Sequence, residues 1–187
     1  MSRALLVALL CHIPAALAAQ LGELQIGVVG SYSPWDPHRG GTGLVVGVAP
    51  GRVMYVGLRW TYDFGNTGVV ATPGGPAQVR TRTQVFAADL GVLIPKGSVE
   101  IVPSVSFGIV QFAQRSSSAG SSVFRGSKEF LAAPGLALQV SVAGVALIPE
   151  LQYYITGRPP LLQPVQRGGV VASVRLVFLR EIRRIRR

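Results

Sequence analysis

The sequence predicts an all-β chain, an eight-stranded antiparallel up-and-down transmembrane β-barrel with short turns at one end and long loops at the other. Hydrophobic residues make up 49% of the 187 residues and charged residues only 14%. After residue 20, however, no apolar run reaches the roughly 18–20 residues of a membrane helix. From there on, polar and apolar residues alternate, and the connections alternate in length. A chain this apolar without a spanning helix fits a sheet with one lipid-facing side.

The first 18 residues are predicted to be a signal peptide. Arg3 precedes an apolar core from Ala4 to Cys11, and Ala16-Leu17-Ala18 fits the small-x-small cleavage pattern. An amphipathic first helix is the alternative, but the stretch has no polar face. Because Cys11 is the single cysteine, the exported chain has neither a disulfide nor thiol chemistry.

Eight strands are predicted from the period-two pattern, and most are long enough to cross a bilayer when tilted. Pro50-Gly51, Lys96-Gly97 and Ala143-Gly144 predict tight turns, because glycine tolerates positive φ. The predicted strands are residues 22–33, 42–49, 52–64, 81–94, 98–113, 129–141, 145–157 and 168–179. The long connections are residues 34–41, 65–80, 114–128 and 158–167. The barrel as a whole is placed at residues 19–179.

The third predicted strand shows the alternation of faces most clearly. One face carries Met54, Val56, Leu58, Trp60, Tyr62 and Phe64, and the other carries Tyr55, Gly57, Arg59, Thr61 and Asp63. A soluble β-sandwich or a lipocalin-like periplasmic binder would also alternate, with the apolar face buried. Strand length, the alternation of loop lengths and the total hydrophobicity favour the membrane.

Two groups of residues refine this prediction. Prolines at 103, 134 and 149 fall on the apolar face, where each leaves a ladder hydrogen bond unmade. An aromatic girdle at the level of the lipid headgroups is predicted at the long-loop end. Its members are Tyr32, Trp35, Trp60, Tyr62, Phe64, Phe112, Phe130 and Tyr153.

The chain resembles the small eight-stranded outer-membrane barrels of Gram-negative bacteria, the OmpA/OmpX type. The last strand, Val170 to Phe178, looks like the terminal signal that the barrel-assembly machinery reads. The resemblance implies a monomer in the cell outer membrane, with periplasmic turns, extracellular loops and no cofactor. The chain departs from the pattern by continuing past Phe178 into a basic tail at residues 180–187. This tail could contact inner-leaflet headgroups or a periplasmic partner, or be a solvated end.

The lumen of such a barrel is expected to hold a polar network. Eight strands enclose little more than room for side chains, so inward charges must pair. We expect Arg59 and Arg175 to bridge several inward carboxylates and thereby close the lumen. The predicted members are Arg59, Arg175, Glu23, Asp63, Asp89, Glu100, Glu150 and Gln152, helped by Gln25, Gln139 and Tyr154. A narrow gated conductance and an acid–base carboxylate pair are the alternatives.

The formal net charge of +10 comes largely from the loops and the tail. Cationic loops could bind the phosphates of lipopolysaccharide, or could be an ordinary solvated surface. The candidate contacts are Arg39, Arg80, Arg115, Arg125, Lys128, Arg158 and Arg167. No recognition helix or binding motif indicates nucleic acid.

Signals for catalysis are sparse. His38 stands beside Asp36 and Arg39 in the first long loop, and a metal site would need more ligands. Some barrels of this architecture are lipid A-modifying enzymes, and His38 with Ser33 could imitate their loop residues, but no strand contains His-x-Ser. The resemblance therefore implies a non-enzymatic surface protein for envelope structure or adhesion.

Overall fold

The computed structural model of the protein describes residues 22–35, 37–51, 53–72, 75–118 and 121–182. The predicted signal peptide, Asp36 and the last five residues of the basic tail lie outside the described residues. None of the described residues forms a helix long and apolar enough to span a bilayer.

The described chain is a closed antiparallel ring. Its strands are β1 (Gly22–Tyr32), β2 (Gly40–Pro50), β3 (Met54–Thr72), β4 (Gly75–Val92), β5 (Ile94–Lys96), β6 (Val99–Ser118), β7 (Ser121–Val142), β8 (Val145–Thr156) and β9 (Gly168–Ile182). Each strand of the ring pairs with its neighbour along the chain, with β4 pairing directly with β6, and β9 closes the ring against β1. This architecture confirms the predicted fold class.

The ninth strand segment arises from a proline. The β4–β6 ladder ends at Gly91↔Ser104, and β5 resumes in the same register at Ile94↔Ile101. Pro103 lies in the intervening gap, where it has no N–H to offer the ladder. Since the register does not shift across the gap, β4 and β5 are one barrel strand, and the barrel has eight.

Prolines also interrupt the ladder between β7 and β8. Its register is constant, but pairs are missing between Ala132 and Gly135 and between Ala137 and Val140. Pro134 lies in the first gap, and Pro149 on β8 lies opposite the second. Both prolines point outward, away from the lumen, as the alternation predicts. The β7–β8 seam is therefore the least continuously paired of the long ladders.

The tight turns lie where they were predicted. Gly51, Gly97, Ala143 and Gly144 all have positive φ, between 50° and 81°. We call this end of the barrel the short-turn end and the opposite one the long-loop end. Gly22 at the start of β1 pairs with Ile182 at the end of β9, so both ends of the described chain lie at the short-turn end.

The prediction of a long loop was wrong for two of the four segments, because the structure forms strands there. β3, β4, β6 and β7 have 18 to 22 residues, whereas the other barrel strands have 11 to 15. Residues 65–80 and 114–128 therefore belong mostly to strands. The extensions pair continuously, for example at Gln78↔Ser117 and Arg115↔Phe124. We call the extended part, residues 64–72, 75–82, 113–118 and 121–126, the raised wall.

A bulge at the base of the raised wall shifts the alternation of inward and outward residues in β3, so a period-two pattern does not predict the extension. The β3–β4 register shifts by one residue between Asp63 and Asn66. Gly65 lies in this bulge with φ 69°, a conformation that L side chains rarely adopt. Beyond it the odd-numbered rather than even-numbered residues of β3 point outward, because Thr67 pairs with the outward Arg80.

The outer surface of the barrel is apolar. Ile26, Leu58, Phe86, Leu151 and Leu176 are each about half exposed, on faces that a soluble sandwich would bury. These side chains form the lipid-facing surface.

Most of the aromatic residues lie on that surface at the long-loop end. Phe130 is 64% exposed and stacks with Phe107, and Tyr62 packs edge-on against Phe64. The exposed members are Tyr32, Trp35, Trp60, Phe64, Phe130 and Tyr153. Phe112 was wrongly assigned to the girdle, because it points into the lumen and is fully buried.

Candidate functional site

A charged cluster, which we call the charged centre, lies in the middle of the lumen. It consists of Arg59 on β3, Asp89 on β4, Glu150 on β8 and Arg175 on β9. Arg59 donates through Nη2 to Asp89 Oδ1 over 2.8 Å and through Nη1 to Glu150 Oε2 over 3.0 Å. It thereby links strands from opposite sides of the ring.

The second guanidinium completes the charged centre. Arg175 donates through Nε to Glu150 Oε2 over 3.2 Å and through Nη2 to Glu150 Oε1, which is the fork geometry of a strong ion pair. Its Nη1 lies 3.6 Å from Asp89 Oδ2. Two cations therefore face two carboxylates, and no described residue of the centre is more than 4% exposed.

Small polar side chains satisfy much of the remaining hydrogen-bonding capacity of the charged centre. Ser106 Oγ accepts from Arg59 over 2.8 Å and from Gln152 over 2.7 Å. Ser173 donates to Glu150 over 3.2 Å. Sequence reasoning did not single out the two serines, although their inward phase in the strands was a signal that could have found them.

Tyr55 is a further lumen residue that sequence reasoning did not single out. Its ring lies 5.6 Å from the Arg175 guanidinium, and it packs over Gly47 and Gly57, where any Cβ would collide with it. The cation–π contact and the packing on glycine hold Tyr55 beside the charged centre. The sequence signal that could have identified Tyr55 is the pair of inward glycines, Gly47 and Gly57, on adjacent strands.

Three predicted members of the network lie elsewhere. Glu23 and Glu100 are half-buried at the short-turn end, where they line a cavity of about 210 Å³ with Gln139 and Ser141. Asp63 lies at the long-loop end. The structure therefore does not bring these carboxylates to Arg59 and Arg175, because the strands place them several rows away along the lumen.

Buried apolar clusters enclose the charged centre from both ends. The cluster toward the short-turn end comprises Val29, Val45, Ala49, Leu93, Val102, Ala137, Ala146, Ile148 and Val177. The cluster toward the long-loop end comprises Val85, Ala87, Val110, Phe112, Leu131, Ala133, Tyr154 and Val171. Apolar surroundings strengthen the ion pairs and make the loss of either partner costly.

His38 lies in the mouth of the barrel at the long-loop end. Its Nδ1 is 2.7 Å from Asp63 Oδ2, and Thr83 donates to the same oxygen over 2.8 Å. The imidazole packs edge-on against Tyr154. The first long loop therefore folds inward, and Asp63 orients His38 instead of joining the arginines.

A second inward connection, residues 157–167, crosses the mouth, and we call it the mouth strap. Gln163 N donates to Gln114 Oε1 on β6, and Gln114 Nε2 donates back to Gln163 O, both over 3.0 Å. Leu161 and Val165 pack on the apolar cluster below. The strap is therefore tied to β6, two strands from β8 around the ring, by one fully buried glutamine.

We expect Gln114→Leu to release the mouth strap, because it removes two reciprocal hydrogen bonds worth about 1 kcal/mol each. Trypsin should then cut after Arg167 up to roughly 30-fold faster, as measured by limited proteolysis with mass spectrometry of the folded barrel. Gln78→Leu, on the exposed wall, is the control. Equal cleavage of the two variants would contradict the clamp.

The predicted loop cations divide into two groups. Arg80, Arg115 and Lys128 point outward on the raised wall or at its base, together with Arg82, which sequence reasoning did not single out. Arg125 is paired opposite the buried Gln114, so it points toward the inner side of the wall. The mouth loops carry Arg39, Arg158 and Arg167.

Among the described residues, no group of three or more His, Cys, Asp and Glu side chains could hold a metal ion. Ser33, considered with His38 as an enzyme-like pair, donates instead to Val170 O over 2.8 Å.

No family model matches the chain, and no curated protein matches its sequence. Solved structures do match its fold. A major outer membrane protein from Thermus thermophilus is 12% identical, with 86% of this chain and 98% of that chain covered and a TM-score of 0.65. The N-terminal β-barrel domain of Pseudomonas aeruginosa OprF is 12% identical, with 84% and 97% covered and a TM-score of 0.52.

The attachment invasion locus protein Ail of Yersinia pestis, in complex with the heparin analogue sucrose octasulfate, is 13% identical. The alignment covers 86% of this chain and 99% of that chain, with a TM-score of 0.52. At these identities the likeness concerns the fold. Together with the closed ring, the apolar outer face and the tight turns at one end, it shows that this protein has the fold of the small OmpA/OmpX-type eight-stranded outer-membrane β-barrels.

Proposed function

We propose that the protein is a non-enzymatic surface protein of the outer membrane, a closed barrel that supports envelope structure or adhesion through its basic long-loop end. The observation that carries this proposal is the closed lumen. The charged centre spans it, apolar clusters fill it on both sides, and the mouth strap covers it. A barrel that neither conducts nor catalyses offers its outer surface and loops for function.

The apolar outer face and the outer-membrane neighbours support a location in the cell outer membrane after export by the signal peptide. We place the short-turn end in the periplasm and the raised wall outside the cell. β9 runs to Ile182, so the first residues of the basic tail belong to the last strand. The barrel-assembly machinery would read the outward residues of that strand, among them Val174, Leu176 and Phe178.

Adhesion to a polyanion is one form that this function could take. The Ail neighbour holds a polysulfated sugar, and the long-loop end of this chain carries exposed arginines such as Arg80 and Arg158.

The hydrogen-bond partners of His38 and Ser33 support the proposal that the protein is not an enzyme. Each bonds a different partner, Asp63 and Val170 O, at 2.7 and 2.8 Å. Neither is hydrogen-bonded to the other among the described contacts, as a nucleophile and its base would be.

Two measurements test the proposal. The purified barrel, checked for the gel-mobility shift on heating that folded barrels show, should give no discrete current steps in planar bilayers. Lipid A from cells expressing it should have the same mass as lipid A from cells without it. Current steps or a mass change that depends on the intact barrel would overturn the proposal.

A gated conductance is the second candidate, and the charged centre supplies the observation that favours it. Arg59 Nε, Asp89 Oδ2 and Gln152 Oε1 are buried without a hydrogen-bond partner among the described residues. The ion pairs therefore have unused bonding capacity with which to rearrange. If they form a gate, Arg59→Ala should create current steps in planar bilayers, whereas Arg125→Ala should not.

A further inference from the structure

Four cations form a strip on the outer face of three adjacent strands. Arg80 and Arg82 lie on β4, Arg115 on β6 and Lys128 on β7, all exposed and in outward phase. The pairings Arg80↔Arg115 and Gln111↔Lys128 place them side by side across the sheet. We call these residues the basic strip. The sequence predicts Arg80 in one long loop and Arg115 and Lys128 in another, and sequence reasoning did not single out Arg82. This juxtaposition is therefore a product of the strand pairing.

The strip contains two cations that lie directly opposite each other on paired strands. Arg80 and Arg115 are direct cross-strand partners, with Cβ atoms about 5 Å apart. Like charges opposite each other destabilise a sheet. An anion bound between the two guanidiniums would convert this repulsion into two attractive contacts.

No carboxylate in the described part of the chain supplies that anion. Among the described residues, no carboxylate forms a salt bridge with any residue of the strip. Glu129, next to Lys128 in the chain, pairs with the buried Val110 and so points to the inner side, where it accepts a hydrogen bond from Ser127. The cations are therefore available to an external ligand.

The strip lies directly above the lipid-facing surface, on the side of the long-loop end. Phe86, Ile109 and Phe130 form one cross-strand row and are 49% to 64% exposed. Lys128 lies one outward position above this row, Arg82 two and Arg80 three. At about 3.4 Å per residue, the cations span roughly 14 Å along the strands, starting at headgroup height.

A shallow cavity of about 150 Å³ lies within the strip. Tyr62, Arg82, Gln84 and Gln111 contribute to its lining, so an arginine and two amides face one space. This space is open to the outer face and can admit a small anionic group such as a phosphate.

From this arrangement we propose that the basic strip binds lipopolysaccharide through several of its phosphates, along one side of the barrel only. The inference rests on the proposed surface location. A glycerophospholipid carries its phosphate at a single height, whereas a phosphorylated glycolipid presents phosphates on its lipid anchor and on the sugars above it. The cations of the strip lie at three heights above the lipid-facing surface, and this arrangement matches the phosphorylated glycolipid.

The test compares two triple variants that remove the same charge. Arg80→Ala/Arg82→Ala/Arg115→Ala empties the strip, and Arg125→Ala/Arg158→Ala/Arg167→Ala leaves it intact. Each full-length exported chain is refolded in nanodiscs, and its affinity for purified lipopolysaccharide is measured. We expect the strip variant to lose about tenfold in affinity and the control variant to stay within about twofold.

Three further measurements guard the interpretation. Arg80→Lys/Arg82→Lys/Arg115→Lys should retain most of the binding, and the mobility shift on heating should confirm that every variant folds. Enzymatic removal of the phosphates from the lipopolysaccharide should abolish the difference between the two alanine variants.

Equal losses in both alanine variants would overturn the strip as a site. An affinity of the unmutated barrel for phosphatidylglycerol equal to its affinity for lipopolysaccharide would overturn it as well. Planar-bilayer recordings on the same unmutated preparation separate the two proposals. A silent barrel that fails to bind lipopolysaccharide refutes only the strip, whereas a conducting one refutes the proposed function.

Discussion

Arg59→Ala should lower the free energy of unfolding by about 3–5 kcal/mol, because it leaves buried carboxylates without their cation. Arg59 is the group that joins Asp89 to Glu150 across the lumen, at 2.8 and 3.0 Å. Once the guanidinium is gone, Arg175 alone must neutralise both carboxylates, and it reaches Asp89 only at 3.6 Å. The measurement is equilibrium unfolding in urea of the barrel reconstituted in lipid vesicles.

Arg125→Ala is the matched control, since it removes the same side chain from an exposed position on the raised wall. Its urea midpoint should stay close to that of the parent protein. Equal midpoints for the two variants would remove the charged centre as a stabilising feature. The urea midpoint of Arg59→Lys should lie between those of Arg59→Ala and the parent protein. An ammonium keeps the charge but cannot bond both carboxylates in the fork geometry.

Glu150→Ala should destabilise the barrel by a similar amount, about 3–5 kcal/mol, and by more than Asp89→Ala. Glu150 accepts hydrogen bonds from Arg59, Arg175 and Ser173, whereas Asp89 accepts one from Arg59. Loss of Glu150 therefore strands two buried cations around a single carboxylate. Urea unfolding of the same vesicle preparation ranks the two variants.

Glu150→Gln separates charge from shape. The amide keeps the volume and the acceptor oxygen, so a loss near that of the alanine variant assigns the effect to charge. Glu129→Gln, in the mouth and bonded to Ser127, should change the unfolding midpoint little. A larger effect for Asp89→Ala than for Glu150→Ala would contradict the assignment of Glu150 as the hub.

The barrel body could be predicted because lipid and lumen impose opposite demands on alternate residues. In β3, Leu58 and Trp60 face outward and Arg59 is buried, as a period-two pattern predicts. The prolines that weakened the prediction of a continuous sheet proved to mark real gaps, at Pro103 and along the β7–β8 seam. Their effect follows from chemistry alone, since proline has no N–H to donate.

The raised wall could not be predicted in this way. Beyond Phe64 the bulge at Gly65 changes the phase of β3. On β4 the polarity is also reversed, with Ala77 and Val79 buried inward and Arg80 exposed outward, so the pattern of a lipid-facing strand no longer applies. Long ladders such as the one from Gly91↔Ser104 to Gln78↔Ser117 hold these residues as strands. Pairing between distant segments is a tertiary property and leaves no local signal.

The sequence by itself determined the fold class, the tight turns, the outward prolines and the inward phase of Arg59 and Arg175. Only the tertiary structure decided which charges meet. Inward phase specifies a direction, while the pairing register of eight strands sets the height of each residue in the lumen. For that reason Asp89 and Glu150 reach the arginines, Asp63 binds His38, and Glu23 lies at the other end. The same register places Arg80 opposite Arg115 on the outer face.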